Sequence, residues 1–374
     1  MSPDDRPTDS KELPPRPCAL SALGQGERVV VTGAAGNVGS RLCRTLLDAG
    51  FTVVGVDNFF SGLKANLAQF AARSGFALHQ ASVTEPGLLD RLSRSHGPLM
   101  AVLHMAAIVS VPWSMDHPEA TMAVNHEATV ALHAEARRLG IPAFVFAGSA
   151  AEYGRETPGP AAEEFAGEPK SPYGLAKYLS SRHIADSGYG ASLRFFNLYG
   201  PSRGLPGPYD GVARRFMAQA MAAKPLTIFG DGGQTRDFVH VDDAVRAVLL
   251  AAGLIGDAGP LQGVYNVGNG RPVTILELAR LIRDVSGRNS AIVFSPERAG
   301  DLRHSLADVS RLRNARGFVP GIRFEDGIRA TYAWFRENLP APGTAPAGEE
   351  GNFEGNETAR GAARGFAGGL ASPC

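Results

Sequence analysis

The chain has 374 residues, 44% hydrophobic and 20% charged, and its 37 basic and 37 acidic side chains give a net charge of zero. Such a chain lacks the basic field that nucleic acid or an anionic membrane surface would require, so neither partner is expected. Its cysteines, Cys18, Cys43 and Cys374, show no paired spacing. This argues against a disulfide framework and against a cysteine-based metal site, so no bound metal is expected.

The two ends differ in composition from the body of the chain. Residues 1–26 are polar and rich in proline, and residues 339–374 are dominated by glycine and alanine, so both are predicted to be disordered. The leader lacks the apolar core of a signal peptide. The most apolar helical stretch, around 244–255, is short and contains Arg246, which argues against a membrane span. A cytoplasmic location is therefore expected.

Within the body, short β-branched segments alternate with helical patterns. The strands are predicted at 28–32, 51–57, 76–81, 100–106, 143–149 and 191–197, and the helices at about 37–49, 119–139 and 172–187. This alternation predicts an α/β fold with a doubly wound parallel sheet. Elements become shorter after residue 200, which predicts a smaller C-terminal domain over the carboxyl ends of the strands. The predicted division is 27–200, with 235–268 partly returning to it, and mainly 201–338 for the second domain.

The first motif, TGAAGNVGS (32–40), lies between a predicted strand and a predicted helix. Gly33, Gly36 and Gly39 allow a tight turn, a close approach to a pyrophosphate and close helix packing. Asp57 ends the next strand, where a carboxylate binds ribose hydroxyls and disfavours a 2′-phosphate. The motif therefore predicts NAD rather than NADP, against the alternative of a glycine-rich turn with an incidental aspartate.

A second group consists of Tyr173, Lys177 and Ser149. Tyr173 and Lys177 are four residues apart, on one face of a predicted helix, so an ammonium group near the phenol is predicted to lower the tyrosine pKa. Ser149 ends a strand, where its hydroxyl can bind the same substrate oxygen as Tyr173. Taken singly, the lysine could be solvated and the serine a turn former; the occurrence of all three motifs in order favours a catalytic triad.

These motifs resemble the extended short-chain dehydrogenase/reductase family, in particular its nucleotide-sugar epimerase branch. The resemblance covers about residues 28–338 and includes TGAAGNVGS, VDNFFSG (56–62), FAGSAAEYG (146–154), SPYGLAK (171–177), LRFFNLYGP (193–201), LTIFGDGGQTRDFVHVDD (226–243) and ERAGDLRHSLAD (297–308). It implies a Rossmann-type fold with a smaller C-terminal substrate-binding domain, a tightly held NAD, a UDP- or dTDP-sugar substrate, and Ser149, Tyr173 and Lys177 as the catalytic triad.

The resemblance also implies further binding residues. The residues for the cofactor are Gly33, Gly36, Asn37, Val38, Gly39, Asp57, Asn58, Ser61, Gly62, Ser82, Val83, Ala106, Asn125, Tyr173, Lys177 and Phe196. The residues for the substrate are Ser110, Ser149, Asn197, Arg236, Arg298, Asp301 and Ser305, of which Asn197, Arg236, Arg298 and Asp301 would hold the diphosphate.

Two further features of the sequence restrict the type of reaction and the sugar substrate that we expect. Ala150 and Ala151 stand where related dehydratases have an acid pair, so the resemblance implies hydride chemistry alone and predicts inversion at carbon 4 of a UDP-hexose. Ser305 is small where a bulky tyrosine is associated with excluding a 2-N-acetyl group, and SVPWS (110–114) is similar to SVPRS of UDP-GlcNAc 4-epimerases. Use of UDP-GlcNAc alongside UDP-glucose is therefore expected, although Val109 and Trp113 depart from that subtype.

Alternatives from three classes remain open. They are an epimerase acting on a uronic acid or a dTDP-sugar, a nucleotide-sugar 4-ketoreductase, and a dinucleotide-sensing scaffold without catalysis. The resemblance also implies a homodimer packed through the helices near 119–139 and 172–187.

Overall fold

The computed structural model describes residues 26–157, 159–203, 211–297 and 302–338. Apart from residue 26, the predicted leader and tail lie outside them. The first half of the described chain alternates strands and helices: β1 (Arg28–Thr32), α1 (Asn37–Asp48), β2 (Thr52–Asp57), β3 (Phe76–Gln80), α2 (Leu88–His96), β4 (Ala101–His104), α3 (Val111–Asp116), α4 (Pro118–Met122), α5 (Ala128–Arg138), β5 (Ala143–Ser149), α6 (Pro172–Ser187) and β6 (Ala191–Phe195).

The second half has shorter strands and more varied connections. Its elements are β7 (Asn197–Tyr199), α7 (Val212–Met221), β8 (Leu226–Phe229), β9 (Thr235–His240), α8 (Val241–Ala251), β10 (Gly263–Val267), β11 (Pro272–Thr274), α9 (Ile275–Ser286), β12 (Ile292–Ser295), β13 (His304–Ser305), α10 (Ser310–Arg316) and α11 (Phe324–Asn338). No helix in the described ranges is both long and apolar enough to cross a membrane.

Seven strands form one parallel sheet in the order β3-β2-β1-β4-β5-β6-β10, which confirms the predicted fold class. The chain builds outward from β1 in one direction through β2 and β3, and then crosses to β4 on the other side. Ligands of such sheets bind where the order reverses, at the carboxyl ends of the strands. This point lies between β1 and β4.

Both faces of the sheet are buried, which explains the continuous valine run of β1. Val29 and Val31 face a core shared with α1, α8 and α10, whereas Val30 faces a second core shared with α2, α5 and α6. Because successive side chains of a strand point to opposite faces, a strand covered on both sides needs apolar residues throughout.

A separate apolar core lies among α7, α9, α11, β8, β9 and β11. Its strands form two small sheets, one centred on β9 with β7, β11 and β13 as partners, and one pairing β12 with β8. A capping box begins α9, in which Glu277 N donates to Thr274 Oγ1 and Thr274 N donates to the Glu277 carboxylate. The later chain therefore has its own core, while β10 returns to the large sheet.

The buried carboxylate of Asp237 joins this core to neighbouring segments. It accepts hydrogen bonds from the backbone N–H groups of Asn269 (2.6 Å), Gly270 (2.9 Å) and Ala307 (3.1 Å). Burial raises the pKa of Asp237, and the three N–H groups oppose that rise.

Replacement of Asp237 by alanine should therefore destabilise the protein strongly. Asp237→Ala leaves three backbone donors without their partner, and we expect a loss of about 3 kcal/mol or more in the free energy of unfolding. Denaturant titration measures this loss. Asp257→Ala, at an exposed loop position, is the matched control and should change stability by less than about 0.5 kcal/mol. Equal stability of the two variants would contradict the assignment.

Candidate active site

A large cleft opens at the carboxyl edge of the sheet, where the strand order reverses. It has a volume of about 1780 Å³ and is bounded by the β1–α1 turn, by the ends of β2, β3 and β4, and by parts of β7, α7 and α11. The predicted cofactor-binding residues that line it are Gly33, Gly36, Asn37, Val38, Gly39, Asp57, Asn58, Ser61, Gly62, Ser82, Val83 and Ala106.

The β1–α1 turn depends on the absence of side chains. Gly33 has a φ of 67°. A Cβ on Gly39 would lie 2.0 Å from the Gly33 carbonyl oxygen, so α1 can approach the turn this closely only with glycine there. The predicted role of these glycines in a close helix–strand contact agrees with this geometry.

The first turn of α1 has features that suit an anionic dinucleotide. It contains no acidic residue, and the carboxamide oxygen of Asn37 is buried with no hydrogen-bond partner among the described residues. Helix N-termini present free N–H groups and a positive dipole end to phosphate. The residues of this turn therefore fit the pyrophosphate of NAD.

Asp57 lies at the end of β2, 8% exposed, with its carboxylate oriented by the backbone. Ala35 N donates to Oδ2 (2.9 Å) and Phe59 N donates to Oδ1 (2.7 Å). Burial raises the pKa of Asp57, and these two bonds oppose the rise. Each oxygen keeps a lone pair for a ribose hydroxyl, whereas a 2′-phosphate would meet like charge.

Ser149, Tyr173 and Lys177 come together beside this cleft. Ser149 ends β5, next to β4, whose following residues Met105–Val109 line the cleft. Lys177 is 2% exposed; its Nζ donates to Ala147 O (2.7 Å) and lies 6.0 Å from the centre of the Tyr173 ring. Lys177 is therefore buried in the site, which rules out the alternative of a solvated lysine.

The predicted direction of the tyrosine pKa needs correction. Burial raises the pKa of Tyr173, and the Ser149 side chain opposes this rise. Burial also lowers the pKa of Lys177, to about 7. Helical spacing predicts which groups are close together, but the cost of removing them from water depends on the tertiary packing.

Glu152, which the sequence motifs did not single out, is fully buried directly beneath the triad. Ser149 N donates to Glu152 Oε1 (2.9 Å) and Arg194 Nε donates to Glu152 Oε2 (2.5 Å). The signal was the spacing Ser149-Ala150-Ala151-Glu152, a capping-box pattern that the short turn after β5 adopts.

The predicted substrate residues are only partly brought together. Asn197 lines the cleft, and Ser305 pairs with Arg236 where β13 runs beside β9. Ser110 is 2% exposed, and its Oγ accepts a hydrogen bond from Trp113 N at the start of α3, so it acts as a helix cap. Arg298 and Asp301 lie outside the described residues.

Four predicted cofactor residues do not line the cleft: Tyr173 and Lys177, which lie beside it, and Asn125 and Phe196. The side chain of Asn125 is fully buried: its Oδ1 accepts from Ile108 N and its Nδ2 donates to Ile108 O, both at 2.8 Å. Phe196 is 5% exposed and packs against Tyr153. Asn125 therefore orients the wall residue Ile108 through the π-helical turn Ala123–Glu127 between α4 and α5.

No group of three or more His, Cys, Asp or Glu side chains in the described part of the chain could hold a metal ion.

Gly148 should tolerate no side chain, because of Glu152. A Cβ there would lie 2.8 Å from Glu152 Oε1 and 2.7 Å from Ser192 Oγ. We expect Gly148→Ala to lower the free energy of unfolding by about 1–3 kcal/mol, as measured by denaturant titration. Gly259→Ala is the control, since a Cβ there has no atom within 4 Å. A Gly148→Ala variant as stable as this control would show that Glu152 is not fixed in place.

Known proteins share both the sequence and the fold. A family model described as the NAD dependent epimerase/dehydratase family matches residues 29–268. The chain is 35% identical over 316 residues to a UDP-glucose 4-epimerase of Mycolicibacterium smegmatis, with 83% of this chain and 98% of the relative covered.

Two solved structures extend this similarity. One is a UDP-N-acetylglucosamine 4-epimerase from Methanobrevibacter ruminantium (31% identity, TM-score 0.78, covering 84% of this chain and 100% of that one). The other is a UDP-glucose 4-epimerase from Thermotoga maritima (31% identity, TM-score 0.75, with the same two coverages). The chain therefore belongs to the NAD-dependent epimerase/dehydratase family, with NAD as its cofactor.

Proposed function

We propose that this protein is a UDP-hexose 4-epimerase that inverts carbon 4 through a transient 4-keto sugar. The observation that carries the proposal is the grouping of Ser149, Tyr173 and buried Lys177 beside a cleft that fits a dinucleotide. Elimination of water would need a further acid–base group at the sugar, and Ala150 and Ala151 provide none. Glu152 is fully buried, whereas Ser149 and Tyr173 are partly exposed.

The chain's own residues supply proton transfer and positioning. When bound, NAD would take a hydride from carbon 4 of the sugar and return it to the opposite face of the 4-keto sugar, after that sugar has turned over in the site. Tyr173, as phenolate, removes the proton of the sugar 4-hydroxyl and later gives it back. Ser149 binds the same oxygen, and Lys177 holds the end of β5 through Ala147. Because carbon 4 of the sugar carries no acidic proton, inversion requires this oxidation and not direct deprotonation.

The proposed cofactor-binding residues and the proposed substrate-binding residues lie mainly in different parts of the chain. The cofactor is held by the cleft-lining residues from Gly33 to Ala106 and by Tyr173 and Lys177. These residues belong to the first domain, which comprises 27–200 and part of 235–268. Asn197, Arg236, Ser305, Arg298 and Asp301 hold the substrate, mainly within 201–338. A planar arginine fork matches phosphate oxygens in two places at once, which suits Arg236 and Arg298 to a diphosphate.

We further propose that the sugar pocket admits a 2-N-acetyl group. Ser305 is small and adjacent to Arg236, and the solved UDP-N-acetylglucosamine 4-epimerase has a similar fold. Trp113 also lines the cleft, with its ring 5.7 Å from that of Phe60 and stacked on His117. These rings offer a flat apolar surface of the kind that sugars contact.

A cytoplasmic location and a homodimer through α4–α5 and α6 belong to the same proposal. The alternatives are an epimerase of uronic acids or dTDP-sugars, a 4-ketoreductase that exchanges its cofactor, and a sensing scaffold.

The decisive experiment uses purified protein without added NAD. UDP-GlcNAc and UDP-glucose are supplied separately, and proton NMR follows the sugar resonances. We expect the 4-epimer to appear from both, with Tyr173→Phe lowering the rate by about a hundredfold or more. A requirement for stoichiometric reduced cofactor would favour the ketoreductase. No epimer from either sugar, even with NAD supplied, would rule out the proposal.

Enlarging Ser305 should separate the two substrates. We expect Ser305→Tyr to reduce kcat/KM for UDP-GlcNAc by about tenfold or more, because the ring occupies the space of the acetamido group, and to change that for UDP-glucose much less. Thr235→Tyr, at a position that pairs with His304 one residue away, is the control for added bulk in these strands. An equal loss for both sugars in Ser305→Tyr would place the acetamido group elsewhere.

A further inference from the structure

Glu152 is a buried carboxylate surrounded by hydrogen-bond donors. Its Oε1 accepts from Ser149 N and from Ser181 Oγ, each at 2.9 Å, and its Oε2 accepts from Arg194 Nε. An ionised carboxylate is an acceptor only, and every contact here is of that kind. Burial raises the pKa of Glu152, and the Arg194 cation opposes the rise. These hydrogen bonds therefore favour the ionised form of Glu152.

The last three residues of β5 are fixed from two sides. Lys177 Nζ binds the carbonyl of Ala147, Glu152 binds the N–H of Ser149, and Gly148 between them has no room for a side chain. Lys177 and Glu152 therefore bind residues on either side of Gly148, and each has its charge buried there.

We propose that Glu152 is a positioning residue for the reaction: its buried carboxylate orients Ser149 and stabilises the positive charge of Lys177. This inference rests on the proposed roles of Ser149, Tyr173 and Lys177. Glu152 is fully buried, whereas Ser149 and Tyr173 are partly exposed, so it acts through these residues and not on the sugar.

The electrostatics support this role. Burial by itself disfavours a charged lysine, and the Glu152 carboxylate opposes that effect by raising the pKa of Lys177. The same carboxylate raises the pKa of Tyr173. Removal of its charge should therefore lower both pKa values together, so that the phenolate forms at lower pH and Lys177 loses its proton at lower pH.

Among the described residues, few other charged and titratable groups lie around Glu152. Arg194 faces it from β6, Tyr173 and Lys177 from α6, and Tyr153 follows it in the chain. Glu163, in the short helical turn Glu163–Phe165, accepts a hydrogen bond from Arg194 through its backbone carbonyl, and the Arg194 charge also opposes the rise that burial causes in the pKa of the Glu163 carboxyl. His104 of β4 lies near Lys177, and burial together with the Lys177 charge lowers its pKa to about 3, so it stays neutral throughout the useful pH range.

The test compares the pH dependence of E152Q with that of the wild type. The amide oxygen of glutamine can still accept from Ser149 and Ser181, so the change removes mainly charge. We expect both limbs of the kcat/KM profile for epimerisation to move to lower pH by about half a unit or more, with kcat reduced and KM within about twofold. E163Q, which removes a neighbouring buried carboxylate, is the matched control and should leave both limbs in place.

A second readout does not need sugar turnover. The ultraviolet absorbance of the phenolate is titrated in the NAD-loaded protein, and the Tyr173→Phe titration is subtracted so that only Tyr173 remains. We expect its midpoint to fall by a similar amount in E152Q. If the wild type turns over no sugar at any pH, the proposed function fails, while this titration still decides the role of Glu152.

A second variant distinguishes the effect of the lost Glu152 charge from the effect of reduced stability. In E152Q, Arg194 is left buried beside an amide N–H, so the double variant E152Q/R194M removes that unpaired cation and should shift both midpoints in the same direction. A loss of rate with unmoved midpoints, or an upward shift, would overturn the proposal. Failure of both variants to fold would also overturn it, because Glu152 would then serve folding alone.

Discussion

The site depends on one constraint of the parallel sheet, that all its strands end at the same edge. The turn after β1 brings Gly33 and Gly36 to this edge, Asp57 ends β2, and Ser149 ends β5. Since the strand order reverses between β1 and β4, the connecting segments leave in opposite directions and a crevice remains there. Residues far apart in the chain therefore meet without any special loop.

Beneath this edge, a buried polar network joins the triad to the later part of the chain. Arg194 binds Glu152 on one side and the carbonyl of Glu163 on the other, and the Glu163 carboxylate accepts from Asn266 N (2.8 Å). The Asn266 amide in turn donates to the carbonyls of Ala161 and Asp308. Buried charges are costly unless each is paired and hydrogen-bonded, so such a network tolerates few arrangements. It fixes the segment of Ser305 relative to Ser149.

In α6, this network allows polar residues that are common on helix surfaces to be buried. Lys177, Ser180 and Ser181 are all buried, although each is a residue type common on helix surfaces. Ser181 donates to Glu152, and Ser180 donates to Asn125 O (3.0 Å). Polar groups on both sides of α6 therefore form hydrogen bonds with its polar side chains. Because burial lowers the pKa of Lys177, the packing of α6 controls the pH at which Lys177 loses its proton.

Local sequence patterns are enough to predict the sheet, the glycine turn, Asp57 and the grouping of Tyr173 with Lys177. These follow from local rules: alternating strands and helices, a turn that only glycine can form, and spacing on one helical face. Such patterns do not predict the direction of the shift in the Tyr173 pKa, the structural roles of Asn125 and Ser110, or the presence of Glu152 under the triad. These features arise from tertiary packing, because desolvation and hydrogen-bond partners depend on which distant segments, such as β6 with Arg194, pack against a residue.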